Sequence, residues 1–159
     1  MRWTSRAELG VIAAAALLVP RQAAAQGWRE TGIWSVAVFA RPAFVGGGLS
    51  SSRRDAGRTR LGIAAAAGVA AGAGAAGRVE AVWHFLLDPL RTSGNTLYAG
   101  GGIAVAIDHD GTLRPALELL VGVETGPQRP RGAFIEAGVG RGARVALGWR
   151  WRKRNAPRR

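Results

Sequence analysis

His84 is the side chain in this sequence best suited to proton transfer. It lies four residues after Glu80, and Thr92 and Ser93 follow in a polar stretch. A histidine paired with a carboxylate can act as a general base, and a nearby hydroxyl can serve as the nucleophile. No motif fixes a serine beside His84. The sequence therefore favours a structural histidine–carboxylate pair and leaves a hydrolase built on His84 as an alternative.

Two short stretches imitate ligand-binding motifs. Gly72–Gly77 matches the GxGxxG pattern of dinucleotide-binding loops, which must be followed by a helix. Residues 78–87 alternate in polarity instead, which predicts a glycine turn before a strand. Residues 108–111 (DHDG) resemble part of a calcium loop but lack its later acidic positions, and they predict a hairpin turn of type I′. We therefore expect neither a cofactor nor a metal at these places.

An arginine cluster is the best candidate for binding a charged partner. It lies in and beside the polar stretch Ser50–Thr59 and consists of Arg53, Arg54, Arg58 and Arg60. Guanidinium groups bind phosphates in a bidentate manner. Because 21 of the 22 basic residues in the chain are arginine, the cluster also fits a solvated charge run in an arginine-rich protein. Both interpretations stand at this point.

The composition limits the classes of protein that these residues can serve. The chain has 159 residues, a formal net charge of +12, 24 glycines and no cysteine. This length suits one domain. The lack of thiols excludes zinc fingers, iron–sulfur sites, disulfide frameworks and cysteine nucleophiles. The glycines keep no three-residue period, which excludes collagen.

Residues 1–25 predict a secretory signal peptide. Arg2 and Arg6 precede the apolar run Leu9–Val19, and the small residues Ala23–Ala25 follow it. This run is shorter than the about 20 residues that a transmembrane helix needs. Cleavage after Ala25 would leave 19 Arg and Lys residues against 9 Asp and Glu residues. Export argues against nucleic acid as a partner, although the charge alone would suggest it.

The remaining chain alternates between bulky apolar residues and small or polar ones, which is the period of a β-strand. The alternation is clearest in residues 78–88, 96–108, 113–124 and 143–152, and it recurs more weakly in residues 34–41, 60–69 and 133–140. We expect Pro42 to divide Ile33–Leu49 into two strands, since proline cannot donate to a ladder. The sequence therefore predicts an all-β fold, an antiparallel up-and-down meander closed into a barrel of about eight strands.

Leu61–Gly77 allows a competing interpretation as a transmembrane helix. This stretch carries no charge, and Gly68 and Gly72 form a GxxxG pair. Alanine and glycine are only weakly apolar, however, and glycine is a poor helix former. Two strands joined by a turn are the favoured prediction.

The two faces of the predicted strands differ sharply. One face carries Leu, Ile, Val and Trp, and the other combines Gly and Ala with isolated charges of both signs. A narrow wet lumen would hold these charges as a network, namely Arg78, Glu80, His84, Glu118, Glu124, Glu136, Arg144 and Arg150. Lipid would then meet the apolar face, with an aromatic girdle of Trp34, Trp83, Tyr98, Trp149 and Trp151. The alternative is a soluble periplasmic barrel whose apolar face lines a cavity for a small apolar ligand.

With its export signal, its alternating strands and its final strand Ala143–Trp151, the chain resembles small bacterial outer-membrane β-barrel proteins of the eight-stranded type. The resemblance implies a membrane barrel over residues 26–151, a basic tail at residues 152–159, and a structural or surface-binding role. It also implies a monomer with outer-membrane lipid as partner, the arginine cluster contacting phosphates of lipopolysaccharide or anionic lipid head groups. Some barrels of this kind are lipid hydrolases, which is the form that an enzyme using His84 would take.

Overall fold

The chain forms eight antiparallel β-strands. The structure, a computed structural model, describes residues 27–55, 58–91 and 93–154, so the predicted signal peptide lies outside the described residues. The strands are β1 (Trp28–Phe39), β2 (Phe44–Arg54), β3 (Thr59–Ala70), β4 (Gly74–Leu86), β5 (Asn95–Asp108), β6 (Leu113–Thr125), β7 (Arg131–Val139) and β8 (Ala143–Arg154). The predicted division at Pro42 is confirmed, because this residue lies in the turn between β1 and β2.

The strands close into one barrel in meander order. Each strand pairs with the next, and β8 returns to pair with β1, with Trp28 opposite Arg154 and Phe39 opposite Ala143. Short turns suffice because consecutive antiparallel strands need no crossover. Closure pairs every strand on both sides and removes the sheet edges. The predicted up-and-down barrel is therefore confirmed.

The connections lie at two opposite ends of the barrel, and the two longest lie at the same end. Residues 40–43, 71–73, 109–112 and 140–142 make four tight turns at one end, called here the hairpin end. β2, β4 and β6 finish at the opposite end, where β1 begins and β8 finishes, called here the termini end. The longer connections thus stand beside the chain termini. Outer-membrane barrels commonly have short periplasmic turns and longer outer loops, so this arrangement matters for orientation.

The glycine-rich stretch forms a turn between strands rather than a nucleotide loop or a helix. Gly72 and Gly74 take φ angles of 76° and 71°, a left-handed conformation that glycine adopts without strain. Residues 61–77 are divided between β3, this turn and the start of β4. The competing prediction of a transmembrane helix is therefore wrong, because residues on both sides of the turn pair across an antiparallel ladder.

The DHDG stretch is a hairpin turn, but not of the predicted type. Only Gly111 has a positive φ, 81°, whereas type I′ would need one at Asp110 as well. The Gly111 amide donates to the Asp108 carbonyl at 2.9 Å, and the Thr112 amide donates to the Asp110 carboxylate at 2.9 Å. The latter bond lowers the pKa of Asp110. Asp108 accepts from Arg114 at 2.8 Å, so both carboxylates have partners within the hairpin.

Two strands run further than the sequence predicts. β2 continues through Arg54, so the connection to β3 is shorter than Ser50–Thr59. β8 continues through Arg154, so Arg152 belongs to the barrel and not to a basic tail. An arginine side chain can lie against either face of a barrel wall. In a run of arginines, the polarity pattern therefore does not show where the strand ends. Residues 155–159 lie outside the described part.

The apolar face points outward and the charged face points into the barrel. Leu49 and Leu117 on the outer wall are 69% and 78% exposed, whereas Glu124 in the lumen is fully buried. This arrangement contradicts the soluble ligand carrier, in which the apolar face would line an interior cavity. In the described part of the chain, no helix has the length and apolarity needed to cross a membrane.

β1 departs from this rule because its bulkier face lies inside. Trp34, Val36 and Val38 are buried and pack with Phe44 and Phe134 in a small apolar cluster of the lumen. Trp34 is therefore not part of an aromatic girdle. Neither is Tyr98, which is also buried inside. The other predicted girdle residues, Trp83, Trp149 and Trp151, do lie on the outer wall.

Candidate functional site: the charged lumen

The lumen holds equal numbers of buried acidic and arginine side chains. Six carboxylates and six guanidinium groups among the described residues are less than a tenth exposed: Glu30, Glu80, Asp108, Glu118, Glu124, Glu136, Arg54, Arg60, Arg78, Arg144, Arg150 and Arg152. Burying a charge is costly unless it is paired and hydrogen-bonded. Electrical balance in this interior is therefore a condition for the barrel to fold.

Glu124 organises the half of the lumen near the termini end. Its Oε2 atom lies 2.7 Å from Nη2 of Arg60, 3.0 Å from Nη1 of Arg150 and 3.1 Å from Nη2 of Arg152. Glu30 adds a second carboxylate, 2.8 Å from Nε of Arg60 and 3.3 Å from Nε of Arg152. Three arginines thus share two carboxylates. The third arginine, Arg150, also pairs with Glu136, which lies nearer the hairpin end.

A second cluster fills the middle of the lumen towards the hairpin end. Arg144 contacts Glu80 at 2.9 Å and Glu136 at 3.0 Å. Arg78 contacts Glu80 at 2.6 Å and also pairs with Glu118. Nη2 of Arg150 lies 2.8 Å from Glu136. Arg150 therefore joins this cluster to the one around Glu124, and the lumen contains one continuous network.

His84 lies beside this network without a close hydrogen-bond partner. Its Nε2 atom is 3.7 Å from Oε1 of Glu136, and neither ring nitrogen makes a hydrogen bond within the described chain. The same carboxylate oxygen accepts from the Tyr98 hydroxyl at 2.8 Å, and the Tyr98 ring meets the His84 ring edge-on. The position suits a structural role, in which His84 fills the wall next to a carboxylate that others neutralise.

The hydroxyls considered for catalysis are not brought to His84. Ser93 is exposed in the connection of residues 87–94, whereas His84 is buried inside the barrel. Thr92 lies outside the described residues. A general base needs its nucleophile within hydrogen-bond reach. The structure therefore offers His84 a carboxylate neighbour but does not place Ser93 beside it.

All eight residues predicted to share the lumen are buried there together. Sequence analysis missed Glu30, Asp108 and Arg152, which lie inside as well. A signal was present, since Arg152 continues the alternation of Arg144 and Arg150 along β8. Glu30 lay before the segment in which alternation is recognisable.

The arginine cluster is divided between the lumen and the outer surface. Arg53 and Arg58 are exposed, as expected for residues that could meet lipid. Arg54 and Arg60 are 3% and 1% exposed, so the expectation that they contact lipid is wrong. Arg60 pairs with Glu30 and Glu124, while Arg54 donates to the carbonyls of Pro89 and Pro127. Both face inward because alternation along β2 and β3 turns these positions into the barrel.

The longer connections fold across the termini end of the lumen. Pro127 is fully buried, and its carbonyl accepts from Arg54 at 2.8 Å. Arg152 donates to the carbonyls of Gly126 and Arg129 at 3.1 and 3.3 Å. Gln128 also donates to the Pro89 carbonyl. Guanidinium groups of the lumen thereby hold Pro89, Gly126, Pro127 and Arg129 across this end as a cap.

Two small cavities lie among the described residues of the barrel. One cavity of about 40 Å³ lies between His84, Arg60 and Glu136, and another of about 40 Å³ opens between Arg78 and Asp108. A water molecule needs roughly 10–15 Å³ of such volume, so each cavity holds a few waters. These cavities are too small for an apolar ligand of drug size, which needs several hundred Å³.

Glycines on the inner face make room for the large side chains. A Cβ at Gly122 would overlap the phenol ring of Tyr98, and one at Gly148 would lie 2.7 Å from the ring of Phe134. Tyr98 cannot withdraw easily, since its hydroxyl is held by Glu136 and the guanidinium groups of Arg60 and Arg150 lie 5.6 and 5.4 Å from its ring centroid.

We expect Gly122→Ala to destabilise the barrel by about 1–3 kcal/mol, because the new methyl group overpacks the lumen. Gly77→Ala is the matched control, since the nearest heavy atom to its Cβ would be 3.9 Å away. Urea unfolding of both variants in detergent micelles, followed by tryptophan fluorescence, measures the difference. Equal midpoints for the two variants would show that Tyr98 does not fill this space.

Solved structures with the same fold were found, although sequence comparison found no relative. The N-terminal β-barrel domain of Pseudomonas aeruginosa OprF superposes with a TM-score of 0.60 at 13% identity, covering 80% of this chain and 100% of that one. Neisserial surface protein A (NspA) gives a TM-score of 0.54 at 11% identity, covering 79% and 96%. No protein-family model matches the chain, and no curated protein matches it in sequence. In fold, this chain resembles small bacterial outer-membrane β-barrels of the eight-stranded type.

Proposed function

We propose that this chain is an integral outer-membrane barrel with a structural or surface-binding role, rather than a pore. The observation that carries the proposal is the inverted distribution of side chains: Leu, Ile, Val and Trp cover the outside, and ion pairs fill the inside. Such an outer wall is unfavourable in water but suits hydrocarbon. The fold of the superposed barrels supports the same location.

The filled lumen supports a structural role over transport. Five of the six buried carboxylates among the described residues are linked by arginines, Asp108 pairs with Arg114, and the two cavities beside them each take only a few waters. The cap held by Arg54 and Arg152 closes the termini end further. In planar bilayers we expect the inserted protein to show no steady single-channel conductance. Regular open steps in a preparation of verified folded barrel would favour a pore instead.

Expression of the full chain in a Gram-negative bacterium tests the location. We expect it in the outer-membrane fraction, resistant to alkaline carbonate, with an electrophoretic mobility that changes on boiling because a folded membrane barrel resists detergent. Recovery as a soluble periplasmic protein would contradict the proposal. Retention in the inner membrane would contradict it as well.

A further inference from the structure

The outer surface carries an unbalanced row of cations at the termini end. Arg29 lies directly opposite Arg53 on one neighbouring strand and opposite Lys153 on the other. All three side chains are exposed, and none has an ionic partner among the described residues. Facing residues on adjacent strands have Cβ atoms about 5 Å apart, where like charges repel each other. Something outside the protein must offset this repulsion if the row is to be favourable.

The row stands above a graded surface on the same three strands. Two residues from the row towards the hairpin end, the three strands carry Trp151, Thr31 and Ser51. Two residues further in the same direction they carry Trp149, Ile33 and Leu49. The order is therefore charged, then amphipathic, then apolar. A membrane surface has the same order, from headgroup through interface to hydrocarbon.

The spacing places the cation row at headgroup level. Leu49 and Ile33 lie near the middle of their strands, and Arg29 and Arg53 are four residues away. Four residues span about 13 Å along a strand. Half of the apolar band of an outer-membrane barrel is about 12 Å. Strand tilt shortens the projected distance, and the long side chains extend it again towards the phosphates.

The two ends of the barrel differ strongly in exposed charge. Among the described residues, the termini end exposes eight bases, Arg29, Arg53, Arg58, Arg91, Arg129, Arg131, Lys153 and Arg154, against exposed Asp88 and half-buried Asp55. The hairpin end carries Arg41, Arg114 and Arg141 with Asp110, and Arg114 is paired with Asp108. Carrying the termini end across a bilayer would desolvate many more charges than carrying the hairpin end across it. Insertion with the hairpin end leading, with its turns of three or four residues, is therefore the less costly direction.

We propose that Arg29, Arg53 and Lys153 bind the headgroup phosphates of anionic glycerophospholipids in the leaflet on the side from which the barrel inserts. This inference rests on the proposed membrane function. Guanidinium pairs bind phosphate oxygens through charge-assisted hydrogen bonds, and a phosphate between two neighbouring strands would offset the repulsion along the row. Arg29 and Lys153 thus take the place of Arg54 and Arg60 as candidate phosphate contacts, because Arg54 and Arg60 lie in the lumen. We favour phospholipid over lipopolysaccharide because the row lies at the termini end. This end does not cross the membrane, so the row contacts the leaflet on the side of insertion.

The test measures lipid selectivity of the full chain reconstituted in phosphatidylcholine bilayers. Spin-labelled phosphatidylglycerol and phosphatidylcholine report which lipid is immobilised at the barrel wall. We expect phosphatidylglycerol to be preferred about fivefold, from the attraction of basic residues near an anionic surface. The variant Arg29→Gln/Arg53→Gln should lose this preference. The matched variant Arg41→Gln/Arg141→Gln, which removes two cations at the hairpin end, should keep it.

Failure of this inference can be told apart from failure of the proposed function. A boiling-sensitive mobility shift in pure phosphatidylcholine shows that the barrel has folded in a bilayer, whatever its lipid preference. A folded barrel without selectivity, or with equal selectivity in both variants, overturns the cation row. Stronger displacement of the label by unlabelled lipopolysaccharide than by phosphatidylglycerol overturns the choice of phospholipid. A chain that does not fold in any bilayer overturns the membrane function itself.

Discussion

Glu124→Gln should destabilise the barrel by about 3 kcal/mol or more. Removing one partner of a buried ion pair leaves an uncompensated charge, and here three arginines lie within 3.1 Å of the lost carboxylate. Glu30 already pairs with Arg60 and Arg152 and cannot neutralise both. Urea unfolding in bilayers or micelles measures the free energy of unfolding. Asp88→Asn is the control, because this exposed carboxylate lies in a connection outside the lumen.

A second substitution makes this result specific to charge balance. Arg152→Gln removes a cation that contacts Glu124 and Glu30, so the double variant Glu124→Gln/Arg152→Gln restores equal charge in the lumen. We expect the double variant to lose less unfolding free energy than the sum of the losses of the two single variants. Strictly additive losses, or a Glu124→Gln variant as stable as Asp88→Asn, would contradict a balanced network.

Leu49→Arg should destabilise the barrel in a bilayer by about 2–4 kcal/mol, because arginine facing lipid at mid-depth is that costly. Leu49 is exposed on the outer wall near the middle of β2, opposite Ile33 and Ala65, which are also near the middle of their strands. Leu97→Arg is the matched control. Leu97 faces outward in the same way but is the third residue of β5, near the termini end.

The comparison distinguishes lipid from water around the wall. At the membrane interface the cost of arginine falls to about 0–1 kcal/mol, so the control should be nearly neutral. In a soluble barrel the depth along the strand would not matter, and both exposed arginines would be tolerated. Equal, small effects of Leu49→Arg and Leu97→Arg in bilayers would therefore contradict a lipid-facing wall.

The period-two alternation was sufficient to predict the strands and most of the lumen. Glu80, Glu118, Glu136 and Arg144 all share the face of small residues, and that face lies inside. The reason is physical: a narrow barrel has room for long side chains only where neighbouring inner positions are Gly or Ala. Pattern alone therefore identifies the middle of the network, but not Glu30, Arg60 and Arg152 near the termini end, nor which carboxylate meets which arginine.

β1 could not be oriented from its own sequence. Trp34, Val36 and Val38 form the bulkier face, as the outward faces of the other strands do, yet they lie inside. The register of β1 with both neighbouring strands determines which of its faces points inward. Trp34 lies opposite Gly48 on β2 and Gly148 on β8. Neither of these two partners carries a side chain beside the tryptophan. That signal is spread over three distant segments and becomes readable only when the strand pairing is known.

Strand ends were the other source of error. Arg54 and Arg60 stand next to a polar connection, where the sequence predicts solvent or headgroup exposure. Their strands run far enough that alternation still applies, so both side chains turn inward. Arg152 was assigned to a tail for the same reason. In a chain this rich in arginine, charge alone does not distinguish the lumen from the rim.

The most direct test of the account is the environment of the outer wall at mid-depth. The chain has no cysteine, so Leu49→Cys provides a single site for a fluorescent label, and His109→Cys provides a control in an exposed turn. In bilayers of phospholipid brominated at mid-chain, we expect strong quenching of the label at position 49 and little at position 109. A label at position 49 that escapes the brominated chains and is quenched by aqueous iodide would contradict a barrel embedded in lipid.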